Sequence, residues 1–342
     1  MHNPSSHSNN RRQWLSLLAT SAAAWGLTGP LALRSAWGQQ PASPQPLTQL
    51  RIGYQKSAVN LVILKQQGVL EKRFPHTKVS WIEFPAGPQL LEALSVGSLE
   101  FGLTGDSPPV FAQAAGKDLW YVGAEPSKPE SSAILVLADS PILTLADLKG
   151  RKVALQKGSS SHYLLVRALD KANLKWTDIQ PIYLAPADAR AAFESKSVDA
   201  WVIWDPFYAA TELAIRPRVI ANGKGLSGNS SFYLASRPLV SQHPDVLNIL
   251  FDELSRADRF VHEHRAQAIK LIADFSGLDA GVVSLFLQRR PRSPVGLLGA
   301  DAVLDQQRVA DAFAKLTLIP KPIRVSEIVW PGPSLARNVL KP

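Results

Sequence analysis

The chain of 342 residues has no cysteine. It can therefore form no disulfide, no thiolate metal site, no cysteine nucleophile and no lipidated N-terminal cysteine. Charged residues are comparatively few, at 19% against 46% apolar residues, and glycine and proline are spread along the chain. This composition is typical of a globular protein rather than a disordered one. The length predicts about two domains.

Signatures of common enzyme classes are missing as well. There is no G-x-S-x-G turn, no Walker phosphate loop and no H-E-x-x-H helix. Residues 223–228 match G-x-G-x-x-G, but a strand-like run follows them instead of a helix, so we interpret them as a loop. His262 and His264, near a helix end, are more typical of a solvated surface than of a metal site. We therefore expect no catalytic residue, no metal and no cofactor.

Acidic residues are absent from the first 38 residues, which have the pattern of a targeting segment. Arg11 and Arg12 precede a small-residue apolar run and a small-x-small cleavage site at 36–38. We predict a twin-arginine-type signal peptide over 1–38 and a flexible, proline-containing tether over 39–48. A retained membrane anchor is the alternative, which glycine and proline in the apolar run weaken. The sequence thus predicts an exported protein.

A concentrated basic surface is also missing. The formal charge is +9, and without the three arginines of the predicted signal peptide 34 basic residues face 28 acidic ones, a balance of +6. Because Lys and Arg are scattered and interleaved with acids, we expect no nucleic-acid partner. The mild basic balance is compatible with an anionic ligand.

Apolar runs that end in Gly/Pro turns alternate with helical patterns along most of the chain, which predicts an α/β fold. The predicted strands lie at 51–54, 79–84, 101–104, 120–122, 133–137, 152–155, 182–184, 200–204 and 219–220. After a last strand-like run at 232–236 the pattern changes to long helices. These helices are predicted at 243–264, 266–275, 279–289 and 301–316.

The alternation restarts near residue 140, which indicates a second α/β unit. The terminal helical block cannot form a third sheet, so we expect it to cover the first sheet. The chain would then cross between two lobes twice, near 136–140 and 235–238. Two crossings make a hinge with a ligand cleft between the lobes. The predicted lobes comprise 49–138 with 237–342 (lobe I) and 139–236 (lobe II).

Four turns open helices at the sheet edge where a doubly wound fold binds its ligand. They carry Gly87; Gly105, Asp106 and Ser107; Gly158, Ser159 and Ser160; and Asp205. A helix start presents unpaired N–H donors and about half a positive charge, so several aimed at one point bind an oxyanion. Sulfonate, sulfate, phosphate, nitrate and carboxylate all fit. For any single turn, a well-capped helix is the plainer interpretation.

Some side chains near these turns favour a ligand and others oppose an anion. Gln55, Lys56 and His162 are best placed to add donors, although His162 equally suits a core. Asp106 and Asp205 would repel an anion, so they either cap N–H groups that face away or meet the cationic part of a zwitterion. Aromatic side chains near the turns are candidates for an apolar wall of the pocket, with packing in a core as the alternative. The candidate aromatic residues are Trp81, Trp201, Trp204, Phe232 and Tyr233.

At these residues the chain resembles the periplasmic aliphatic sulfonate-binding proteins of ABC transporters, within the nitrate/sulfonate/taurine-binding group. The matching segments are 52–56, 83–94, 104–109, 157–159, 186–194, 198–206 and 232–237. The chain departs from the family pattern at Ser160 and Ser161, where an asparagine and an apolar residue are usual, and at Ser107, where alanine or threonine is more frequent.

The resemblance implies a two-lobed class II periplasmic-binding fold that closes on a small organic sulfonate. It implies a periplasmic location, delivery to an ABC permease with its cytoplasmic ATPase, membrane contact only through that permease, and a monomer. The residues expected around the sulfonate are Gln55, Lys56, Gly87, Gly105, Asp106, Ser107, Gly158, Ser159 and Ser160, with Trp201, Trp204 and Tyr233 around the organic tail.

Other functions stay open at this point. The ligand could instead be taurine, nitrate or a pyrimidine precursor, and the partner a receptor, which would make the protein a sensor subunit. A lyase or synthase on the same scaffold is the alternative of another class. The predicted export signal and the missing enzyme motifs argue against it.

Overall fold

The computed structural model describes residues 46–293 and 295–332, which belong to one compact unit. The predicted signal peptide (1–38) and most of the predicted tether (39–48) lie outside them. The strands are β1 (Gln49–Tyr54), β2 (Lys78–Glu83), β3 (Phe101–Gly105), β4 (Trp120–Glu125), β5 (Ser132–Val136), β6 (Lys152–Leu155), β7 (Gln180–Tyr183), β8 (Ala200–Trp204), β9 (Arg218–Asn222) and β10 (Ser231–Ala235). Each predicted strand is present.

Helices connect and cover these strands. They are α1 (Val59–Gln67), α2 (Val69–Arg73), α3 (Gly87–Ser95), α4 (Ser107–Ala114), α5 (Ser160–Lys171), α6 (Pro186–Glu194), α7 (Phe207–Ile215), α8 (Arg237–Gln242), α9 (Pro244–Glu263), α10 (Arg265–Ser276), α11 (Ala280–Gln288) and α12 (Ala300–Lys315). The four predicted C-terminal helices correspond to α9 to α12. In the described residues, no helix combines the length and the apolar character that a membrane span requires.

Two sheets of the same design organise the structure. The first has the order β2-β1-β3-β10-β4 and the second β7-β6-β8-β5-β9. In each, the central strands are parallel, and one strand runs antiparallel to its two neighbours: β10 in the first sheet and β5 in the second. We call the first sheet with its covering helices the first lobe, and the second sheet with its helices the second lobe.

The antiparallel strands correct the predicted crossing points. The chain crosses at 126–131, before β5, and returns at 223–230, before β10. The predicted boundaries at 138 and 236 thus assigned both strands to the wrong lobe. The physical reason lies in strand direction. β4 and β9 end at the carboxyl edge of their sheets, and a chain that crosses directly from there enters the facing sheet at its carboxyl edge, against the direction of the parallel strands.

The C-terminal helices cover the first sheet, as predicted. Buried leucines of α9 recur at helical spacing, with Leu247, Leu250 and Leu254 among them. They share one core with β1, α1, α10 and α11, while Phe313 of α12 packs on the other face with Tyr121 of β4. Each fully buried large apolar side chain contributes about 1.5–3 kcal/mol before conformational entropy is counted. This burial explains why the chain returns to the first lobe.

Local signals set the helix ends. α1 ends at Gly68, whose φ of 59° lies in the left-handed region that glycine adopts at helix C-termini. Proline stands in the first turn of α3 and α4, at Pro88 and Pro108, where a missing N–H costs nothing. The starts of α3 and α4 border the pocket described below, through Gly87 and Pro108.

Candidate functional site

A pocket of about 620 Å³, counting its mouth, lies between the two lobes. From the first lobe it is lined by Gln55, Ser57, Gly87, Leu103, Thr104, Gly105, Pro108, Phe286 and Arg290. From the second lobe it is lined by Ser159, Ser160, Trp204 and Asp205, from the two crossings by Lys128, Ser131 and Asn229, and from the start of β10 by Ser231. The carboxyl ends of both sheets therefore converge on it, as a doubly wound fold predicts.

The start of α5 forms the second lobe's polar wall. Ser159 is its extended N-cap, and the Ser159 Oγ donates to the Gln156 carbonyl at 2.8 Å. The first N–H groups of α5 have no acceptor within the helix, and they carry the positive end of its dipole. Ser160 reaches across to the first lobe, where a Cβ on Gly105 would collide with the Ser160 Oγ. Glycine at 105 is thus what lets the lobes meet.

A second glycine allows two helix starts to meet within the first lobe. A Cβ on Gly87 would lie 2.5 Å from Cγ of Pro108 and 3.2 Å from Cβ of Thr104. Because real Cβ atoms do not approach so closely, only glycine leaves α3 and α4 in this arrangement. The α4 start is a poorer anion site than predicted. Asp106 occupies its N-cap position and accepts the Ser107 hydroxyl at 2.9 Å.

A buried group of charged residues lies at the floor of the pocket. The sequence did not predict this group. Glu125, at the end of β4, accepts two hydrogen bonds from Arg290, at 3.0 and 3.1 Å, and lies 3.7 Å from Nζ of Lys128. All three are at most 9% exposed. Two cations on one carboxylate leave one surplus positive charge beside the pocket. We call these three residues the basic cluster.

The pKa values within the basic cluster follow from burial and mutual attraction. Burial opposes ionisation of Glu125, yet Arg290 and Lys128 hold its pKa down at about 2. Burial lowers the pKa of Lys128 to about 8, against the attraction of Glu125. Near neutral pH the carboxylate is therefore ionised and Lys128 is protonated, while burial raises the pKa of Asp106, the other carboxyl group that interacts with Lys128.

Hydrogen bonds orient the lysine at the crossings. Nζ of Lys128 donates to Oγ of Ser231 at 2.7 Å, and Nδ2 of Asn229 donates to the Lys128 carbonyl at 3.4 Å. Both crossings therefore meet at Lys128. A bound oxyanion here would find an ammonium group, an amide and hydroxyl groups within one pocket, which are the donors that such a ligand requires.

Asp205 caps a helix, which is one of the two roles that the sequence suggested for it. Oδ1 accepts the Ala209 N–H of α7 at 3.0 Å, so the side chain caps that helix. The same residue lines the pocket, and Arg289 lies 3.2 Å from its carboxylate. Burial raises the pKa of Asp205, against the opposing attraction of Arg289. The carboxylate is thus held by the protein rather than left free toward an anion.

The structure brings several predicted site residues to the pocket wall. These are Gln55, Gly87, Gly105, Ser159, Ser160, Trp204 and Asp205. Trp204 is the aromatic residue among them, and with Leu103, Pro108 and Phe286 it supplies the apolar part of the wall. Apolar contacts beside convergent polar groups are typical of sites for ligands with a charged head and an organic tail.

Other predicted site residues lie elsewhere. Nζ of Lys56 donates to the Ser276 carbonyl at 3.2 Å, away from the pocket wall. His162 is fully buried, where Nδ1 accepts the Gly158 N–H at 3.2 Å and burial lowers its pKa to about 3. It packs among aromatic rings of both lobes. Gly158 itself, at φ 73°, forms the turn before α5 and does not line the pocket.

The remaining differences concern two aromatic residues and the Asp106 turn. Trp201 is fully buried against Phe193 in the second lobe, and Tyr233 stacks on Phe101 and donates to Glu125 at 2.8 Å. Strand alternation explains both, because each side chain points into a core rather than toward the sheet edge. Asp106 and Ser107 bond to one another behind the pocket wall.

A faint signal for the basic cluster was present in the sequence. Glu125 and Lys128 interrupt the chain between two apolar strands, and Arg289 and Arg290 end an otherwise apolar helix. Charges in such positions indicate buried pairing. Their spacing along the chain, however, gives no hint that they meet.

Comparisons with known proteins agree with this architecture. The model of the NMT1/THI5-like family matches residues 78–268. A protein of Escherichia coli (strain K12), named as an aliphatic sulfonates-binding protein, is 49% identical over 304 residues, which cover 89% of this chain and 94% of that protein.

Two solved structures are also similar. The alkanesulfonate-binding protein SsuA from Xanthomonas axonopodis pv. citri, bound to MOPS, is 49% identical with a TM-score of 0.80, covering 83% of this chain and 98% of that one. The periplasmic aliphatic sulphonate binding protein SsuA from Escherichia coli is 50% identical with a TM-score of 0.77, covering 83% and 92%. The chain belongs to the NMT1/THI5-like family and, by sequence and fold, groups with its aliphatic sulfonate-binding proteins.

Proposed function

We propose that the protein is the solute-binding component of an ABC importer that captures aliphatic sulfonates between its lobes and delivers them to a membrane permease with a cytoplasmic ATPase. The observation that carries this proposal is the basic cluster, with its surplus positive charge beside a partly apolar pocket. The names of the similar proteins support the same ligand class. A sulfonate has one charge spread over three oxygens and an organic tail, which suits this division of the wall.

In this proposal the head group lies between Lys128 and the start of α5, and the tail lies along Trp204 and Phe286. Lys128 supplies charge, while the N–H groups at the start of α5 and the hydroxyls of Ser231 and Ser160 supply directed hydrogen bonds. Closure follows because some of these groups belong to each lobe. A ligand that contacts both lobes favours the closed state by its differential affinity.

We also propose that the protein binds its ligand without chemical change. The similar proteins are named as binding proteins. Among the described residues that line the pocket there is no histidine, so the serine hydroxyls have no imidazole base beside them. Recovery of unchanged ligand after long incubation, measured by mass spectrometry, is the expected result. A steady appearance of product would contradict this part of the proposal.

For location, we propose export to the periplasm by the twin-arginine route. Arg11 and Arg12 in the leader support the route. The location is supported by a similar protein of Escherichia coli that is named as periplasmic. Changing both arginines to lysine should retain the protein in the cytoplasm, as measured by cell fractionation. Unaltered export of that variant would point to another route.

The ligand is tested by a thermal-shift and calorimetry panel on the purified protein. The panel contains methanesulfonate, butanesulfonate, octanesulfonate, MOPS, taurine, sulfate and nitrate. At about 100 times its dissociation constant, a ligand stabilises the protein by about 2.7 kcal/mol. A thermal shift that occurs only with sulfonates and grows with the length of the tail supports the proposal. A thermal shift with nitrate or sulfate alone would show that the ligand is an inorganic anion instead.

Lys128→Met is the variant that tests where the head group binds. We expect affinity to fall about 10- to 150-fold, because a hydrogen bond to a charged group contributes about 1.5–3 kcal/mol. Lys224→Met is the matched control, since Lys224 is an exposed lysine paired with Glu130. Equal affinities of the Lys128 variant and the unmodified protein would show that Lys128 does not bind the head group.

A further inference from the structure

Two consecutive arginines follow α11 and serve different lobes. Arg290 pairs with Glu125 inside the first lobe. The side chain of Arg289 instead reaches the second lobe, at Asp205 and Glu212, on either side of the start of α7. One helix end therefore contacts both the floor and the side wall of the pocket.

Arg289 makes three kinds of contact with the second lobe. Its Nη1 lies 3.2 Å from Oδ1 of Asp205, its Nη2 pairs with the Glu212 carboxylate, and its guanidinium carbon lies 3.8 Å from the ring centre of Tyr208. The side chains of Arg289 and Asp205 are only 13% and 3% exposed. We call Arg289, Asp205, Glu212 and Tyr208 the clasp. Only a planar guanidinium can bond two carboxylates while stacking on a ring.

The clasp is linked to the ligand pocket through one of its members. Asp205 lines the pocket, whereas Arg289, Glu212 and Tyr208 do not. The Ser131 hydroxyl, at a crossing, also donates to the Arg289 carbonyl at 3.4 Å. When the lobes separate, Arg289 must leave two carboxylates that lie close together, one of them buried. Their mutual repulsion would then be uncompensated.

We propose that Arg289 is a positioning residue that stabilises the closed arrangement of the lobes and thereby increases ligand affinity without contacting the ligand. The choice of ligand for its test rests on the proposed function, whereas the lobe arrangement can be measured without one. In this scheme the basic cluster attracts the anion, and the clasp determines how readily the second lobe closes over it.

The decisive measurement is the distance between two spin labels, one on each lobe. Because the chain has no cysteine, Val96→Cys and Ser195→Cys place labels only at these two exposed positions, after α3 and after α6. In the ligand-free protein, Arg289→Gln should shift the distance distribution toward longer values. Butanesulfonate at saturation should restore the short distances in the variant.

Affinity and dissociation rate provide the second readout. We expect Arg289→Gln to weaken butanesulfonate binding at least about fivefold, a typical lower value for coupling between sites. The loss should lie mainly in faster dissociation, as is usual for a broken interface contact. Arg289→Lys should recover part of the affinity, since it keeps the charge but loses the second hydrogen bond and the stacking. Glu212→Gln, outside the pocket, should change both readouts in the same direction by less.

Arg190→Gln is the matched control, because Arg190 pairs with Glu194 on the surface of one helix. It should leave distances and affinity unchanged. If Arg289→Gln leaves the label distances of the ligand-free protein unchanged, the proposed role of Arg289 in closure is refuted, whatever happens to affinity. If no sulfonate binds the unmodified protein, the proposed ligand fails, and the ligand-free distances still decide on the clasp.

Discussion

The two charged groups at the pocket have opposite composition and different places in the fold. The basic cluster joins two cations to one carboxylate, with Glu125 and Arg290 from the first lobe and Lys128 from a crossing. The clasp joins one arginine to two carboxylates across the lobes. In our proposal the basic cluster is present before the lobes meet, whereas the clasp forms only when they do. This difference separates recognition of an anion from control of closure.

The largest expected effect concerns stability, and it distinguishes the two groups. Glu125→Gln removes the buried partner of two cations, so we expect the free energy of unfolding to fall by about 3–5 kcal/mol. Glu212→Gln, whose side chain is 34% exposed, should cost about 1 kcal/mol or less. Urea unfolding of both variants measures the difference. Equal losses would show that the two groups are not energetically distinct.

The glycine between the lobes should have the next largest effect, on affinity. Gly105→Ala places a methyl group against the Ser160 hydroxyl, so closure requires a backbone shift. Overpacking of this kind costs about 1–3 kcal/mol, or about 5- to 150-fold in affinity. Gly299→Ala is the matched control, since a Cβ there meets nothing within 4 Å. Calorimetry checks both, and unchanged affinity of the Gly105 variant would mean that binding does not require this contact.

The pH dependence of affinity should depend on the basic cluster rather than the clasp. Burial lowers the pKa of Lys128 to about 8, and an anion binds its protonated form. Affinity should therefore fall above about pH 8, by up to about tenfold per pH unit, as Lys128 loses its proton. Lys128→Met should abolish the fall. A profile that is equally steep in that variant would assign the dependence to another group.

The smallest effect should come from the apolar wall between the two charged groups. Trp204→Leu removes aromatic surface from the pocket, so octanesulfonate should bind about three- to tenfold more weakly, in line with a loss near 1 kcal/mol. Methanesulfonate, which has almost no tail, should bind as before. An equal loss of affinity for sulfonates of all chain lengths would show that Trp204 contacts the head group rather than the tail.

Much of the fold could be predicted because its determinants are local. The apolar runs indicated the strands, and the turns at Gly87 and at Gly105 to Ser107 indicated the starts of α3 and α4. Crossing points were not predictable in the same way. β5 has the same local pattern as its neighbours, and only its pairing with β8 and β9 assigns it to the second sheet.

The site was partly predictable for the same reason. Glycines and serines at helix starts, such as Gly105 and Ser160, follow rules of backbone geometry that a single turn displays. The structure buries Trp201 and Tyr233 in cores, which the sequence could not indicate because the pattern of a strand does not tell which of its aromatic residues faces a core. Trp204, at the end of the same strand as Trp201, does reach the pocket.

The sequence by itself determined the α/β class, the terminal helical block and the turns that open onto the cleft, since each depends on neighbours a few residues apart. Only the tertiary structure decided which charges lie together. Glu125 meets Arg290 across 165 positions of the chain, and Asp205 meets Arg289 across 84. Attraction between charges depends on distance in space and on exclusion of water, and folding sets both.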